Sequence, residues 1–554
     1  MKKWFALVLS AVLFVSLLAG CGNTAVPAPS AAEDPALVQE LLPDEQQSMA
    51  LNPDATTEPV VENNPASQSA QAPLSTGDSL DGRTDIAYVL IYNPALWDEK
   101  NTDSMNNDLN EKLNTGTLEF QIDPNMRVRA DLEEAEPEFT LIAQNELGAL
   151  PEDMELDPNA VRAGGLPPIY ELGDTHEFYI GHRELRPESL TCVYAGESCY
   201  IWTLEDSISA EQAGRYGKEF DEVIYPADTE IFGSARFCED GGKVHILYYD
   251  FGETSKSYLG FFRPRDLFSA ADLSSSPEDA ENYRRKHQLN FDHAIIHINS
   301  RQCSNPKGEA MVFSTQAHEF QHLICFTDYI ESSFGGYADT WLNEAMSGYV
   351  EEKLYPGTKS QEGHFASLLQ SALIRCGQSL YNFKTLPSSP LTRQDIGVYG
   401  SVFLFSNYLE AEAGPDIFHR IHDYYRDGAN SDLSTPAALY ATVPADFRDR
   451  IEQTYVYPAG IHFDSPAREW TSKLALDYYL SHLSYDSADP ASYAQIRAQA
   501  LLYDELDPTL IEGGGRVLVA TLNGSFVIPE DADDGLLYIG LDSDFRPITG
   551  ICSK

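Results

Sequence analysis

The sequence has few basic residues and no cluster of them. Its 554 residues include 37 Lys and Arg against 86 Asp and Glu, which gives a formal net charge of −49 at pH 7. An acidic surface repels both the phosphate backbone of nucleic acids and anionic lipid headgroups. The composition therefore argues against a nucleic-acid-binding protein, and we expect no nucleic acid among its partners.

Long apolar runs are also scarce. The one such run lies at the start of the chain. Residues 1–20 combine two lysines, an apolar stretch and a small-residue ending, which is typical of a signal peptide and short for a spanning helix. An uncleaved membrane anchor is the alternative interpretation. Residues 18–21 read LAGC and resemble the lipobox of bacterial lipoproteins, which implies cleavage before Cys21 and attachment of a lipid to its sulfur. We therefore expect an extracytoplasmic protein, lipid-anchored to the outer face of a bacterial cell membrane.

The segment after Cys21 lacks the residues that build a core. Residues 22–82 contain no Lys, no Arg and no aromatic residue, but they include ten acidic residues and eight prolines. Such a segment cannot bury enough apolar surface to offset the entropy lost on ordering. We predict a disordered acidic tether, rich in Pro, Ala and Ser, over residues 21–82.

Cysteine is too rare for a scaffold built on disulfides, since the chain has eight. If Cys21 carries lipid, seven remain, and an odd number cannot all pair. Cys192 and Cys199 flank a predicted turn at residues 195–196 and could meet across a hairpin. Export would permit this disulfide, but the sequence does not define the strand register that it needs.

The rest of the chain divides into three predicted regions. Residues 83–285 contain short runs rich in Val, Ile, Tyr and Trp between turn residues, which predicts a β-rich region. Residues 286–470 begin with a strand pattern and continue with helical periodicity, and residues 471–554 return to a β-rich pattern. The predicted fold class is therefore multidomain α+β.

One motif in the central region indicates metal chemistry. Residues 317–322 read AHEFQH. On a helix, His318 and His322 lie about 40° apart around the axis and about 6 Å along it, so both imidazoles can hold one cation. Glu319 follows the first histidine, where its carboxylate can act on a water at the metal. We predict a helix here, with Thr315 as its N-cap.

A second motif supplies a carboxylate. Residues 341–347 read WLNEAMS and show helical periodicity. This periodicity places Glu344 near the apolar face of the helix, where its charge needs a partner. A third protein ligand is what two histidines need in a catalytic zinc site. Glu351 and Glu352 are assigned to the solvated face and left out of the site.

The two motifs together resemble those of gluzincin metallopeptidases, most of all the hyicolysin-like branch. The resemblance implies a zincin-like catalytic domain over 286–470, with an active-site helix, a mostly helical C-terminal subdomain and flanking β-rich regions. It also implies one Zn²⁺ held by His318, His322 and Glu344, with Glu319 as general base. Tyr399 is the candidate donor to the oxyanion, with a core aromatic role as the alternative. Thermolysin-like members carry an Asp four residues after the ligand Glu, but this chain has Gly348 there.

Several other side chains could bind metal, but their surroundings favour structural roles. His419 and His422 lie among apolar residues of a predicted helix, which favours a buried core pair. His293 and His297 alternate in a predicted strand and could at most line the site. Cys325 lies one turn beyond the second histidine of the motif and is interpreted as a buried helical cysteine.

An acidic turn at residues 530–535 resembles a calcium loop only superficially. Its Asp and Gly offsets do not fit an EF-hand, so we predict a hairpin turn. An accessory Ca²⁺ remains an alternative there.

The sequence therefore predicts a membrane-anchored extracellular zinc metalloendopeptidase that hydrolyses peptide bonds of a polypeptide substrate. In this hypothesis a metal-activated water attacks the carbonyl carbon, and Glu319 is the base. The alternative is a non-catalytic, peptidase-like surface receptor or adhesin lipoprotein. The complete set of ligands and base favours the enzyme.

Overall fold

The structure is a computed structural model of the chain. It describes residues 86, 88–96, 168–181, 185–238, 241–253, 258–269, 272, 277–304, 309–332, 336–355, 380, 393–457, 461–484, 515–519, 536–542 and 547. The predicted signal peptide, tether, Cys21 and acidic turn at 530–535 lie outside the described residues. Within these residues, no helix has both the length and the apolar character needed to cross a bilayer.

A mixed six-stranded sheet forms the larger β layer. Its strands are β2 (Thr175–Ile180), β3 (Arg186–Ala195), β4 (Cys199–Thr203), β5 (Val244–Tyr249), β6 (Gly260–Phe262) and β7 (Ala294–Asn299). The spatial order is β2-β3-β4-β5-β7-β6. The central strands β4, β5 and β7 are parallel, and every residue in them is buried, as expected for strands covered on both faces. The short strand β6 is antiparallel to β7 and forms one edge of the sheet.

The hairpin of β3 and β4 shows whether Cys192 and Cys199 form the disulfide that the sequence left open. Cys192 lies opposite Trp202, and the register shifts before Tyr194. As a result, Cys192 packs in the apolar cluster on one face of the sheet, whereas Cys199 packs in the cluster on the other face. Both thiols are free. The hairpin forms, but the disulfide does not, because the two side chains point to opposite faces.

Helices cover the face of the sheet that carries Cys199. After β4 come α1 (Ala210–Glu219), a π-helical turn (Phe220–Ile224) and α2 (Tyr225–Phe232), and α3 (Pro277–His287) precedes β7. The long helix α4 (Glu309–Glu331) packs on β6 and β7, and α5 (Thr340–Leu354) packs on α4. Buried residues occur all around α4, as expected of a core helix.

The predicted start of α4 was wrong. We expected Thr315 to be the N-cap, but the helix begins at Glu309. The Thr315 hydroxyl donates instead to the carbonyl of Met311 at 2.7 Å. A threonine hydroxyl can satisfy a carbonyl one turn back just as it can cap a helix, so residue type alone did not distinguish the two positions.

The chain after α5 is mostly helical over residues 393–484. Its helices are α6 (Arg393–Ala413), α7 (Ile417–Arg426), α8 (Thr435–Thr442), α9 (Ala445–Thr454) and α10 (Pro466–Ser484). α6 packs on α5, and α7 packs on both α2 and α4. Helices and sheets together give the mixed α+β class that the sequence predicted.

A second, three-stranded antiparallel sheet joins distant parts of the chain. In it, β1 (Tyr88–Tyr92) lies between β8 (Gly515–Val519) and β9 (Leu537–Leu541). The division into 83–285, 286–470 and 471–554 remains a prediction. Strands on both sides of residue 285 share the larger sheet, strands from the first and last regions share this one, and α10 runs through residue 470.

Candidate metal centre

Two histidines of α4 face α5. His318 and His322 are four residues apart, and their ring centroids lie 4.6 Å apart with the ring planes at 90°. Both residues are buried. The helical spacing predicted from the motif therefore places two imidazoles side by side in the interior.

α5 brings a carboxylate to the same point. Glu344 Oε2 lies 3.4 Å from His318 Nε2 and 3.8 Å from His322 Nε2. One ligand atom from each of the three residues lies within 4.8 Å of the others, and no other such trio of His, Cys, Asp or Glu occurs in the described part of the chain. The structure thus brings together the three ligands that the sequence predicted.

The remaining nitrogen of each imidazole is held by α5 as well. His318 Nδ1 lies 2.5 Å from Glu351 Oε1, and His322 Nδ1 lies 3.2 Å from Asn343 Oδ1. Carboxylate and amide oxygens accept hydrogen bonds, so each Nδ1 carries the proton and donates it. In the neutral ring each Nε2 then presents a lone pair toward Glu344, and among the described residues neither Nε2 makes a hydrogen bond of normal length and angle.

Glu351 corrects the sequence analysis, which assigned it to solvent. Only 6% of its surface is exposed, and it is the closest polar contact of His318. The spacing carried a usable signal, because Glu351 follows Glu344 by two helical turns and so shares its face. At Gly348, a Cβ would meet Phe403 Cβ of α6 at 3.5 Å. In this chain the buried acid beside His318 therefore comes from position 351.

Glu319 is the fifth buried acidic or basic group at this point. Its side chain is fully buried, and within the described part of the chain neither carboxylate oxygen makes a hydrogen bond of normal length and angle. Burial raises the pKa of Glu319 well above its usual value, and Glu344 and Glu351 add to this rise, while His318 and the backbone N–H of Phe262 on β6 oppose it. A raised pKa makes the carboxylate a stronger base toward a proton of water.

The edge strand β6 runs directly beside Glu319. At Gly260, a Cβ would lie 3.1 Å from Glu319 Cγ and 2.6 Å from Thr315 Cγ2. The same Cβ would lie 2.9 Å from the carbonyl oxygen of His297. Glycine at this position therefore permits the strand to approach the helix that carries the base.

The two imidazoles differ in their electrostatic surroundings. Burial lowers the pKa of His318, but Glu351 and Glu344 outweigh it and raise that pKa well above its usual value. Burial lowers the pKa of His322 well below its usual value, and His318 lowers it further, while Asn343 opposes this. One imidazole thus lies between carboxylates, and the other rests on a neutral amide.

This donor set fits a zinc ion. Two imidazole nitrogens and one carboxylate oxygen are the ligands of many catalytic zinc sites, which keep a further position open. Buried polar atoms without a well-formed hydrogen bond are rare, and within the described part of the chain the Nε2 atoms of His318 and His322 and both carboxylate oxygens of Glu319 are of that kind. A cation at this point would also offset the negative charge of the surrounding carboxylates.

Other predicted residues lie away from these ligands. Tyr399 belongs to the first half of α6, and its side chain lies outside the described residues. Cys325 is fully buried in α4, as predicted, and is not one of the clustered ligands. His297 bonds to Asp266 at 3.1 Å on the opposite face of the sheet, so it does not line the site.

The predicted core pair of α7 is only half correct. His422 is buried and bonds to Asp328. His419 is half-buried, and its Nδ1 lies 3.1 Å from the carbonyl oxygen of Glu230. The apolar neighbours of both histidines in the sequence did not reveal that the two rings leave the helix in different directions.

Comparison with known proteins gives one partial match. The chain is 30% identical over 260 residues to the neutral metalloprotease ShpI of Staphylococcus hyicus, which covers 45% of this chain and 53% of that protein. The chain thus spans about half the length of this curated relative. No protein-family model matches the chain. The partial match supports a metallopeptidase family.

Proposed function

We propose that the protein is an extracytoplasmic zinc metalloendopeptidase of the gluzincin type. The observation that carries this proposal is the convergence of His318, His322 and Glu344 beside the buried carboxylate of Glu319. The partial match to a neutral metalloprotease agrees with it. Membership in the hyicolysin-like branch belongs to the same proposal and rests on the residues of the two motifs, 317–322 and 341–347.

In this proposal each residue of the site has a separate task. His318 and His322 hold the metal through Nε2, while Glu351 and Asn343 fix the orientation of the rings. Zinc, when bound, supplies a Lewis acid that polarises water and the scissile carbonyl. Glu319 takes a proton from the attacking water and then delivers it to the leaving amine.

The sheet edge beside Glu319 is suited to a polypeptide substrate. β6 is an edge strand, so one side of its backbone has no neighbouring strand among the described residues. An extended peptide can add to such an edge through main-chain hydrogen bonds. A peptide bound there would pass close to Glu319, as an endopeptidase requires.

Tyr399 is proposed as the donor that stabilises the oxyanion. A phenol that donates to the developing negative charge contributes most in the transition state. Tyr399→Phe should therefore lower kcat by roughly tenfold to a thousandfold with little change in zinc content. Steady-state kinetics with a fluorogenic peptide measures this change. An unchanged kcat would favour the alternative, in which Tyr399 is a core aromatic residue.

The location of the enzyme is proposed from the N-terminal sequence. Lipid on Cys21 would anchor the chain to the outer face of the cell membrane, and residues 22–82 would act as a tether. Labelling with a radioactive fatty acid in the wild type and in Cys21→Ser tests the anchor. Equal labelling of the two proteins would contradict it.

Glu319→Gln tests the enzymatic function. The variant should bind zinc as the wild type does but should lose peptide hydrolysis, because the amide accepts no proton. Zinc content measured by atomic emission and cleavage of a mixed peptide library give the two readouts, and a chelator should abolish wild-type cleavage. Undiminished cleavage by Glu319→Gln would disprove the assignment. A wild-type protein that holds zinc but cleaves nothing would support the receptor alternative.

A further inference from the structure

A cluster of aromatic rings lies on the face of the larger sheet opposite to α4. At its centre is Tyr170, which belongs to the irregular segment just before β2. Its ring centroid lies between 4.8 and 6.2 Å from five others, those of His176, Tyr200, Trp202, His245 and His293. None of these side chains belongs to the metal centre.

Three of these rings form what we call the histidine cluster, namely His176, His245 and His293. The centroid of His293 lies 4.6 Å from that of His245 and 5.1 Å from that of His176. His245 and His293 are buried, and His176 is half-buried. Imidazoles this close together cannot easily all carry a proton, because their charges would repel each other.

The hydrogen bonds of His293 define its neutral tautomer. Its Nδ1 donates to the carbonyl oxygen of Phe291, so in the neutral ring Nε2 is the acceptor. Nε2 lies 3.0 Å from the hydroxyl of Tyr170, which donates to it. A proton on Nε2 would reverse this bond, because Nε2 would then donate to the Tyr170 oxygen and the hydroxyl proton of Tyr170 would have to turn toward another acceptor.

His245 is restricted in the same way. The indole nitrogen of Trp202 lies 3.1 Å from His245 Nδ1, and an indole N–H can only donate. Nδ1 must therefore be the unprotonated nitrogen. A second proton on His245 would leave the buried Trp202 N–H facing another donor.

Tyr170 is the side chain that anchors residues 168–174. Its backbone N–H donates to Tyr200 Oη at 3.3 Å, and its hydroxyl reaches the histidine cluster. The neighbouring Ile169 and Leu172 are 86% and 71% exposed. Backbone bonds to β3 begin only at Gly173, which donates to the carbonyl of Cys192 at 2.8 Å.

The charged groups around the histidine cluster act in both directions and do not offset the effect of burial on the imidazole pKa values. The basic neighbours are Arg284, which acts on His176, and Lys243, which lies over the Tyr200 ring. The acidic neighbours are Glu177, Asp174 and Asp266. Asp266 is already paired with Arg263 at 2.7 Å, and within the described part of the chain no carboxylate bonds to any of the three imidazoles.

We propose that the histidine cluster is an acid-sensitive catch, which holds residues 168–174 on the sheet near neutral pH and releases them when an imidazole takes up a proton. Release frees Tyr170 from its pocket and detaches the stretch through which the preceding chain enters the sheet. The metal centre, on the other face, keeps its structure.

The direction of the pH dependence follows from the two states. Burial, and then the charge of His176, lowers the pKa of His293 from 6.5 to about 4, and burial also lowers the pKa of His245 and His176. Once residues 168–174 are released, the imidazoles left on the sheet bind protons more readily, so closure is fully stabilised above pH 6.5 and weakens as the pH falls toward 4. For one imidazole with these pKa values, the opening equilibrium rises roughly 20-fold between pH 7 and pH 5.

Hydrogen exchange of the full chain tests the catch. Backbone amides of residues 168–174 are followed by mass spectrometry between pH 5 and pH 7, after correction for the intrinsic pH dependence of exchange. Wild-type protein should show the roughly 20-fold increase in opening there, while peptides from α4 stay protected. Loss of protection in α4 at the same pH would indicate global unfolding and would overturn the proposal.

Variants identify the groups that titrate. His245→Gln/His293→Gln keeps hydrogen-bonding amides and leaves His176 as the one imidazole of the cluster that can titrate, so its opening should change much less with pH than that of the wild type. His419→Gln, on α7, is the matched control and should behave as the wild type does. If the double variant does not fold, Tyr170→Phe replaces it, because it keeps the ring but loses the hydroxyl and should open more at pH 7. Unaltered pH dependence in the double variant, or unaltered protection in Tyr170→Phe, contradicts the catch.

Discussion

At the scale of single residues, Glu351 and Asn343 of α5 orient both imidazoles of α4. Each accepts a hydrogen bond from Nδ1, and so directs Nε2 toward Glu344. Such partners set the tautomer and the ring angle of a metal ligand. A single helix therefore supplies one predicted ligand and the support for the other two.

Removal of the Glu351 carboxylate should weaken metal binding. Glu351→Ala leaves His318 free to rotate or to change tautomer, so we expect zinc affinity to fall about 10- to 100-fold. Competition with a chelating dye measures the dissociation constant without any assay of activity. Glu351→Gln should lose less, since its amide oxygen can still accept.

The control for this prediction is an equal loss of charge elsewhere. Glu211 is 87% exposed on α1 and pairs with Arg215 at the surface. Glu211→Gln should leave zinc affinity unchanged. If Glu351→Ala binds zinc as tightly as Glu211→Gln does, Glu351 does not orient the ligand.

The sequence identified some of these residues but not others, for a physical reason. Spacing within one helix predicts that His318, Glu319 and His322 belong to the site. Glu344 is predicted because it is an acidic residue near an apolar helix face. Glu351 was missed because its burial depends on how α5 crosses α4, which no local pattern encodes.

At the scale of elements, the contact between β6 and α4 depends on Gly260. Gly260→Ala would place a methyl group 2.6 Å from Thr315 Cγ2 and 3.1 Å from Glu319 Cγ. The strand and helix must then separate, at a cost of about 1–3 kcal/mol. We expect kcat/KM for peptides to fall at least about tenfold through misplacement of Glu319, with zinc content unchanged.

A second substitution makes this prediction specific. Thr315→Ser removes Cγ2 but keeps the hydroxyl that bonds to Met311. In the Gly260→Ala background it should restore part of the activity, because one of the close contacts is gone. No recovery at all would show that the clash with Thr315 is not what limits the variant.

Local elements were easier to predict than their arrangement. The hairpin at residues 195–196 and the helix that carries His318 follow from turn residues and apolar periodicity. Thr315 was misplaced because a hydroxyl serves a cap and a helix interior equally well. The position of β6 beyond β7 depends on long-range pairing, so the sequence did not indicate that an edge strand lies beside Glu319.

At the scale of the whole molecule, one buried carboxylate joins three parts of the chain. Asp328, near the end of α4, is fully buried and contacts both His422 and Arg426 of α7. Arg426 Nε lies 2.6 Å from Asp328 Oδ1, and its Nη2 donates to the carbonyl of Ser234 beyond α2 at 2.8 Å. α4 thus connects the sheet-bearing part of the chain to the helices that follow it.

Asp328→Asn should destabilise the protein strongly. The substitution leaves Arg426, whose side chain is only 16% exposed, without its ionic partner. Loss of one member of a buried pair costs about 3–5 kcal/mol of unfolding free energy. Urea denaturation followed by circular dichroism measures the shift.

A surface pair provides the comparison for Asp328. Arg450 and Glu412 lie 2.8 Å apart, but their side chains are 42% and 39% exposed. Glu412→Gln should cost no more than about 1 kcal/mol. Similar losses for Asp328→Asn and Glu412→Gln would mean that the buried contact does not stabilise the fold.

The smaller sheet can form only after its last strands have been synthesised. β1 pairs with β8 and β9, which follow it by more than about 420 residues. At synthesis rates of about 5–20 residues per second, β1 emerges from the ribosome roughly 20 to 85 seconds before β8. β1 therefore has neither of these partner strands until residues 515–541 have been synthesised. Closure of this sheet follows the synthesis of those residues, and chains that end before residue 515 would keep an open strand able to recruit other polypeptides.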